Sequence, residues 1–176
     1  DHDERDGDLD MLVTTGGYRK FGDIIVSGDR IFGPRHVQRI ARFDRDDVYM
    51  ASDVEDLRKA IIATGLVSSV TLTPQDAGDG EHVDLAVDMS KAPPRTIAGE
   101  IGYGTGEGAR VEASWQHRNF FPPEGAITVR GVAGTQEQLA SLTYRRNNFK
   151  KRDQVLTGLF AASNVNRRAY AARTIT

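Results

Sequence analysis

The sequence predicts an α+β chain in two parts. A strand–helix–helix–strand–strand unit covers residues 18–92, and an antiparallel all-β segment covers residues 95–176. Three observations predict this. Helical periodicity occurs twice before Pro93-Pro94 and not after them. From Arg95 on, segments of about ten residues alternate apolar with polar and are separated by turn residues. The charge balance changes at the same place: residues 11–90 carry a net −4, and residues 91–176, with thirteen basic and six acidic groups, a net +7. Consecutive prolines favour an extended, semi-rigid connection, so Lys91–Arg95 reads as a linker.

Residues 1–10 hold six acids and one arginine and read as a solvated tail. A calcium loop fails there, because its fifth and sixth places hold Arg5 and Asp6. Leu9–Val13 followed by Thr14-Thr15-Gly16-Gly17 reads as a short strand ending a preceding module. Phe21–Val26 is β-rich and closes at Ser27-Gly28-Asp29. Pro34 suits a helix's first turn, and Val37, Ile40 and Ala41 keep helical spacing through Phe43. Ser52 and Glu55 have the spacing of a capping box for a second helix, with Val54, Leu57, Ile61 and Ile62 on one face and Gly65 to close it. Strands follow at Val67–Thr73 and His82–Asp88, the second burying one face through Val83, Leu85, Val87 and Met89. Two helices must lie on one face of such a three-stranded sheet to build a core. At least one sheet edge then stays open to an added strand.

In the second part, Ile97, Gly99, Ile101 and Tyr103 alternate with Ala98, Glu100 and Gly102. Similar strands are expected around Val111–His117, Ile127–Gly131, Gln138–Arg145, Val155–Ala162 and Ala169–Thr176. This pattern fits a transmembrane β-barrel wall. It fits a soluble sandwich or up-and-down barrel equally well. Trp115 and Tyr103 suit either an aromatic interface belt or ordinary packing. Six strands are fewer than the roughly eight at which single-chain outer-membrane barrels begin. The chain is therefore expected to be a piece lacking a signal, earlier modules and most of a barrel.

Other functions find little support. Cysteine is absent, and no apolar run approaches the ~20 residues of a spanning helix. His2, His36, His82 and His117 lack metal-ligand spacing and read as surface or half-buried. Gly102–Gly108 is not a dinucleotide fingerprint, and no nucleophile elbow or phosphate loop is present. No cofactor, metal or catalytic constellation is expected, so the reading is non-enzymatic. Arg145–Arg152 holds five basic residues in eight and, lying between strands, reads as a solvated turn near anionic lipid headgroups rather than a nucleic-acid site.

Tyr18–Gly28 resembles the start of a POTRA (polypeptide-transport-associated) domain. Asp56–Val70 is similar to that family's helix, glycine and strand, through the corner Gly65-Leu66-Val67. Asp46-Asp47-Val48-Tyr49 departs from it, with Asp47 where the family usually has glycine before tyrosine. Trp115–Phe121 followed by Glu124-Gly125 resembles the early-barrel signature of the outer-membrane assembly-factor superfamily (surface antigen, BamA–TamA type). Gly134–Glu137 and Tyr144–Phe149 are similar to the same region, but Pro122-Pro123 stand where that family has glycine. The resemblance covers residues 9–176, and its module order is most like the TamA (translocation and assembly module) branch, with BamA as the alternative. Other readings are a two-partner secretion transporter or a soluble periplasmic docking protein with a β-sandwich.

The resemblance implies a Gram-negative outer-membrane protein with its POTRA-like domain in the periplasm. It implies as clients unfolded outer-membrane β-proteins or autotransporters, with an inner-membrane partner of TamB type and contact with outer-membrane lipid. The residues themselves point to strand addition at backbone edges. The candidate partner-binding positions are Val67, Ser69, Val70, Thr71 and Leu72 on one strand, and Ile97, Gly99, Ile101 and Tyr103 on another. The same edges are expected to drive self-association.

Overall fold

The computed structural model describes residues 18–105, 108–167 and 170–176, with 167, 170 and 171 described by backbone alone. The acidic tail, His2 and the strand expected over 9–13 lie outside the described residues. The first part contains β1 (Lys20–Gly28), α1 (Pro34–Ile40), α2 (Ala51–Ala63), β2 (Val67–Asp76) and β3 (His82–Lys91), in the expected order. Its sheet runs β1-β3-β2, with β1 parallel and β2 antiparallel to β3. Central β3 buries Val83, Leu85, Val87 and Met89, as its alternation predicts. Three of these, Leu85, Val87 and Met89, pack in one core with Phe21, Val67 and Val70 of the other strands and with Val37, Ile40, Leu57 and Ile61 of the helices.

Several local expectations need correction. α1 stops at Ile40, because Ala41 turns extended and lets Phe43 stack on Phe21 at 3.7 Å between ring centres. The capping box of Ser52 and Glu55 does not form: α2 starts at Ala51 with Met50 as its N-cap and no side-chain cap bond. Glu55 instead accepts two hydrogen bonds from Arg58, at 2.7 and 2.6 Å, and such charge-assisted bonds outcompete a neutral cap. Ile62 is 41% exposed, so the buried face of α2 centres on Leu57 and Ile61. Gly65 does close the helix in the left-handed region, with φ +69°. In the loop after α1 the left-handed residue is Asp46, at φ 73°, rather than Asp47. Aspartate tolerates that conformation.

Residues 95–176 form β4 (Arg95–Gly104), β5 (Gly108–Phe121), β6 (Gly125–Gly134), β7 (Glu137–Arg146), β8 (Leu156–Arg167) and β9 (Tyr170–Ile175). They make one antiparallel sheet in sequence order. Residues directly opposite on neighbouring strands share a face, so the register sorts every position. One face carries the row Ile97, Trp115, Val129, Leu142, Phe160. The other carries Ala98, Ser114, Arg130, Ser141, Ala161 and, one row away, Thr96, Gln116, Thr128, Thr143, Leu159. Val132, Leu139, Leu159 and Val165 are larger apolar exceptions on that face, which is otherwise mostly polar or small.

Nothing among the described residues covers the apolar face. Ile97 is 81% and Ile101 85% exposed, and Val129, Leu142 and Phe160 are exposed as well. A soluble sandwich would lay a second sheet here. A contiguous apolar surface this wide marks a membrane or partner interface.

Candidate functional site

β4 is an edge strand, paired with β5 on one side and with no strand on the other among the described residues. All its residues but Gly104 are exposed. Three of its ten residues are glycines (Gly99, Gly102, Gly104). Glycine offers no side chain to grip a neighbour and weakens a strand by about 0.5–1 kcal/mol relative to alanine. The strand is fastened at its start. The Arg118 backbone N–H donates to Pro94 O at 2.8 Å, and its guanidinium donates to Pro93 O at 3.3 Å and Thr96 Oγ1 at 2.9 Å. Beyond Thr96, no β4 side chain makes a hydrogen bond or ion pair among the described residues.

The register adds a repulsion. Glu100 lies directly opposite Glu112 of β5 on the polar face. Arg130 of β6 grips the Glu112 carboxylate at 2.5 and 2.8 Å, and Arg110 adds a third contact at 3.0 Å. Glu112 is therefore satisfied from the β6 side, and Glu100 is left facing the open edge.

The predicted partner-binding positions fall on two edges of two sheets. Ile97, Gly99, Ile101 and Tyr103 are all exposed on β4's apolar face. Val67, Ser69, Val70, Thr71 and Leu72 lie on β2, an edge strand of the small sheet. Val67 and Val70 send their side chains into the core, at 4% and 9% exposure, so β2 offers a partner backbone plus Ser69 and Thr71. The other edge of that sheet is half closed, because Phe21 N–H donates to Asp47 O and Tyr49 N–H to Arg19 O.

A buried polar junction ties the two parts together, and no motif or spacing marks its residues. Glu124 sits in the β5–β6 turn with φ 61° and only 2% exposure. Its Oε1 lies 2.8 Å from His36 Nε2 on α1, and both of its oxygens accept from Asn148 Nδ2 at 3.0 Å. His36 is 7% exposed, which corrects the surface or half-buried reading. Its Nδ1 has no hydrogen-bond partner among the described residues. The basic run 145–152 is likewise more than a solvated turn, since Arg152 is paired with Asp56 of α2 and is 17% exposed. Hydrogen bonding from Arg152 holds the Asp56 carboxyl below its usual range. Arg42 reinforces the contact by pairing with Asp153 at 3.5 Å. A cavity of about 340 Å³ opens beside this junction, lined in part by Ile40, Ala63, Glu124, Asn148 and Arg152.

At the same end, the rings of Trp115, Phe120, Phe121 and Tyr144 meet edge-on, with centres 5.0–6.4 Å apart. Tyr103 stands near the opposite end of the sheet, 80% exposed. Aromatic side chains thus lie toward both ends of the apolar face, on strands of ten to fourteen residues.

No protein-family model matches the chain. It is 23% identical, over 180 aligned positions, to the outer membrane protein assembly factor BamA of Neorickettsia risticii. That alignment covers 93% of this chain and 24% of the relative, so the chain spans about a quarter of the relative's length. The fold is similar to BamA from Haemophilus ducreyi lacking POTRA domains 1–3, with TM-score 0.74, 19% identity, and coverage of 85% of this chain and 29% of that one. CdiB from Acinetobacter baumannii is more distantly similar, with TM-score 0.55, 10% identity, and coverage of 84% and 28%. The sequence likeness supports a BamA/TamA-type outer-membrane assembly superfamily for this chain, and the two structural likenesses show a shared fold.

Proposed function

We propose that this chain is the membrane-proximal part of an outer-membrane β-protein assembly factor, and that it acts by lending the open edge of β4 to an incoming strand. In this reading residues 18–92 are a POTRA-like domain on the periplasmic side, and residues 95–176 begin a barrel wall. The apolar face meets hydrocarbon and the polar face meets the lumen. The observation that carries the proposal is an unpaired, glycine-rich edge strand on a sheet whose apolar face is uncovered. An unpaired strand presents a row of backbone N–H and C=O groups, which have no water to satisfy them inside a bilayer. A client strand satisfies them and its own at once. The role is non-enzymatic, and its clients are unfolded outer-membrane β-proteins. The sequence relative and one of the two similar structures reported above are BamA proteins, which supports a BamA-like assignment over the TamA-like one expected from module order. An inner-membrane partner of TamB type belongs to that second assignment. Without a client, the same edge serves self-association.

Proline substitution tests the edge. Successive residues of an antiparallel strand direct their N–H groups to opposite sides. Of Ala98→Pro and Gly99→Pro, one therefore removes a bond to β5 and the other removes only the outward donor. In the intact protein in phospholipid vesicles, the outward variant is expected to slow insertion of a client barrel at least about ten-fold while the wall keeps its resistance to heat. Client insertion at the wild-type rate in both variants rules out the β4 edge. Thr71→Pro and Leu72→Pro ask the same of β2, where again only one of the two removes the outward donor.

A further inference from the structure

We propose that Glu100 is a selectivity residue: the β4 edge prefers an incoming strand that places a lysine or arginine directly opposite it. This deepens the edge-pairing reading above and rests on it. Glu100 is exposed, lies midway along β4 on the polar face, and makes no hydrogen bond or ion pair among the described residues. Its neighbour across the β4–β5 ladder is another carboxylate, Glu112. The Arg130 guanidinium attracts Glu100 only at longer range, being engaged with Glu112. Arg110, opposite Gly102 on the same face, is also engaged with Glu112, so the open side is where a counter-charge for Glu100 alone can be placed. On paired strands, directly opposite residues bring their Cβ atoms to about 4.5–5.5 Å, so the position facing Glu100 is read electrostatically. The positions facing Ile97, Ile101 and Tyr103 are read for apolar bulk, and Gly99 leaves room for a large side chain between them.

The occupant is a strand of a different polypeptide rather than a second copy of this chain. The basic residue of β4 is Arg95, whose odd position places it on the opposite face from Glu100. Pairing β4 with β4 thus brings no positive charge to Glu100. The other open edge, β9, places Ala172 and Thr174 at its polar-face positions and Arg173 on the apolar side. Among the described residues, neither edge of this sheet carries a positive charge that would face Glu100 of another copy.

The test uses ten-residue peptides of alternating apolar and polar residues that differ only at the position facing Glu100: lysine, glutamine or glutamate. The intact protein in phospholipid vesicles carries Tyr103→Cys, and each peptide carries one cysteine in register with it. Disulfide capture under competition then reports relative affinity. The lysine peptide is expected to outcompete the glutamate peptide about five-fold, a ratio typical of one favourable against one unfavourable in-register charge pair. Glu100→Gln should flatten the preference to within about two-fold while capture continues, and Glu100→Lys should reverse it. Equal capture of all three peptides by the wild type, or the same preference in Glu100→Gln, overturns the role of Glu100 alone. Failure to capture any peptide overturns the edge itself.

Discussion

Replacing Glu124 with alanine should release α1 from the six-stranded sheet. The carboxylate is 2% exposed and holds two buried groups, the His36 imidazole at 2.8 Å and the Asn148 amide at 3.0 Å. His36 Nδ1 already has no partner among the described residues, so the substitution leaves both ring nitrogens unsatisfied there. A buried polar group stripped of its partner costs about 1–3 kcal/mol, and two such groups give about 3 kcal/mol. α1 has seven residues, too few to persist as a helix without tertiary contacts. The loss should therefore appear as local opening. At about 1.4 kcal/mol per decade, amide exchange across Val37–Ala41 should accelerate about 100-fold, while exchange along β3 stays within about three-fold. Glu124→Gln keeps one acceptor oxygen and should give about ten-fold. Exchange in α1 within about three-fold of wild type in the alanine variant would show that the buried contact does not hold the helix.

Leu57 is fully buried between α2 and the small sheet, so Leu57→Ala should cost about 3 kcal/mol in denaturant unfolding of residues 18–92. Gly65→Ala should cost only about 1 kcal/mol, since its φ of +69° is strained for alanine but the nearest atom to a new Cβ, Arg118 Cδ, is at an ordinary 3.7 Å. His82 is raised above its usual 6.5 by hydrogen bonds from its ring to Asp46 and Asp79. Its contribution is complete below that ordinary value and is lost as pH rises through the raised one. Thermal unfolding should accordingly separate wild type from His82→Gln at pH 5.5 and bring them together at pH 9. Asp56 shifts the other way: lowered by Arg152, its contribution persists at neutral pH and disappears only as acid passes its depressed value. Loosening of the β7–β8 turn, followed by the amide of Asp153, should appear there and not near pH 5.

What was legible in the sequence was whatever depended on local period. The alternation in β3 and in β4 through β8, Pro34 at the start of α1 and Gly65 at the end of α2 all carry their physics within a few residues. The candidate edge was legible for the same reason, since a two-unit chain with an open sheet must expose strands. What failed depended on distant partners. Ser52 and Glu55 have the spacing of a cap, yet Arg58 took the carboxylate. His36 carried no motif, because its partner lies 88 residues away in a turn that Pro122-Pro123 and Glu124 build differently from the expected glycine turn. Arg152 looked like one charge in a solvated run and was instead the residue that reached α2. Periodicity left barrel wall and sandwich equal, because both alternate. That nothing among the described residues lies on the apolar face is a tertiary fact which no local window carries.

The buried junction and the open edge act on different strands, and this division matters mechanically. Glu124 belongs to the β5–β6 turn, and Asn148 and Arg152 belong to the β7–β8 turn, so the helical layer grips β5 through β8. β4 is not gripped there. It hangs from the Arg118 clamp at Pro93, Pro94 and Thr96, and from its ladder with β5. Its other end is tied as well, since the chain passes from Gly104 into β5 at Gly108 with the ladder still running. Between these two ties lie the like charges of Glu100 and Glu112 and the side-chain-free Gly99 and Gly102. β4 should therefore open first along its middle with both ends still fixed, while the rest of the sheet keeps its place against the helices. Amide exchange resolved along the strand checks this: rates should peak between Ala98 and Gly102, and Arg118→Ala should spread the opening toward Thr96 by freeing the clamped end. A flat profile in the wild type would mean that β4 is held as firmly as its neighbours and opens, if at all, as a single piece.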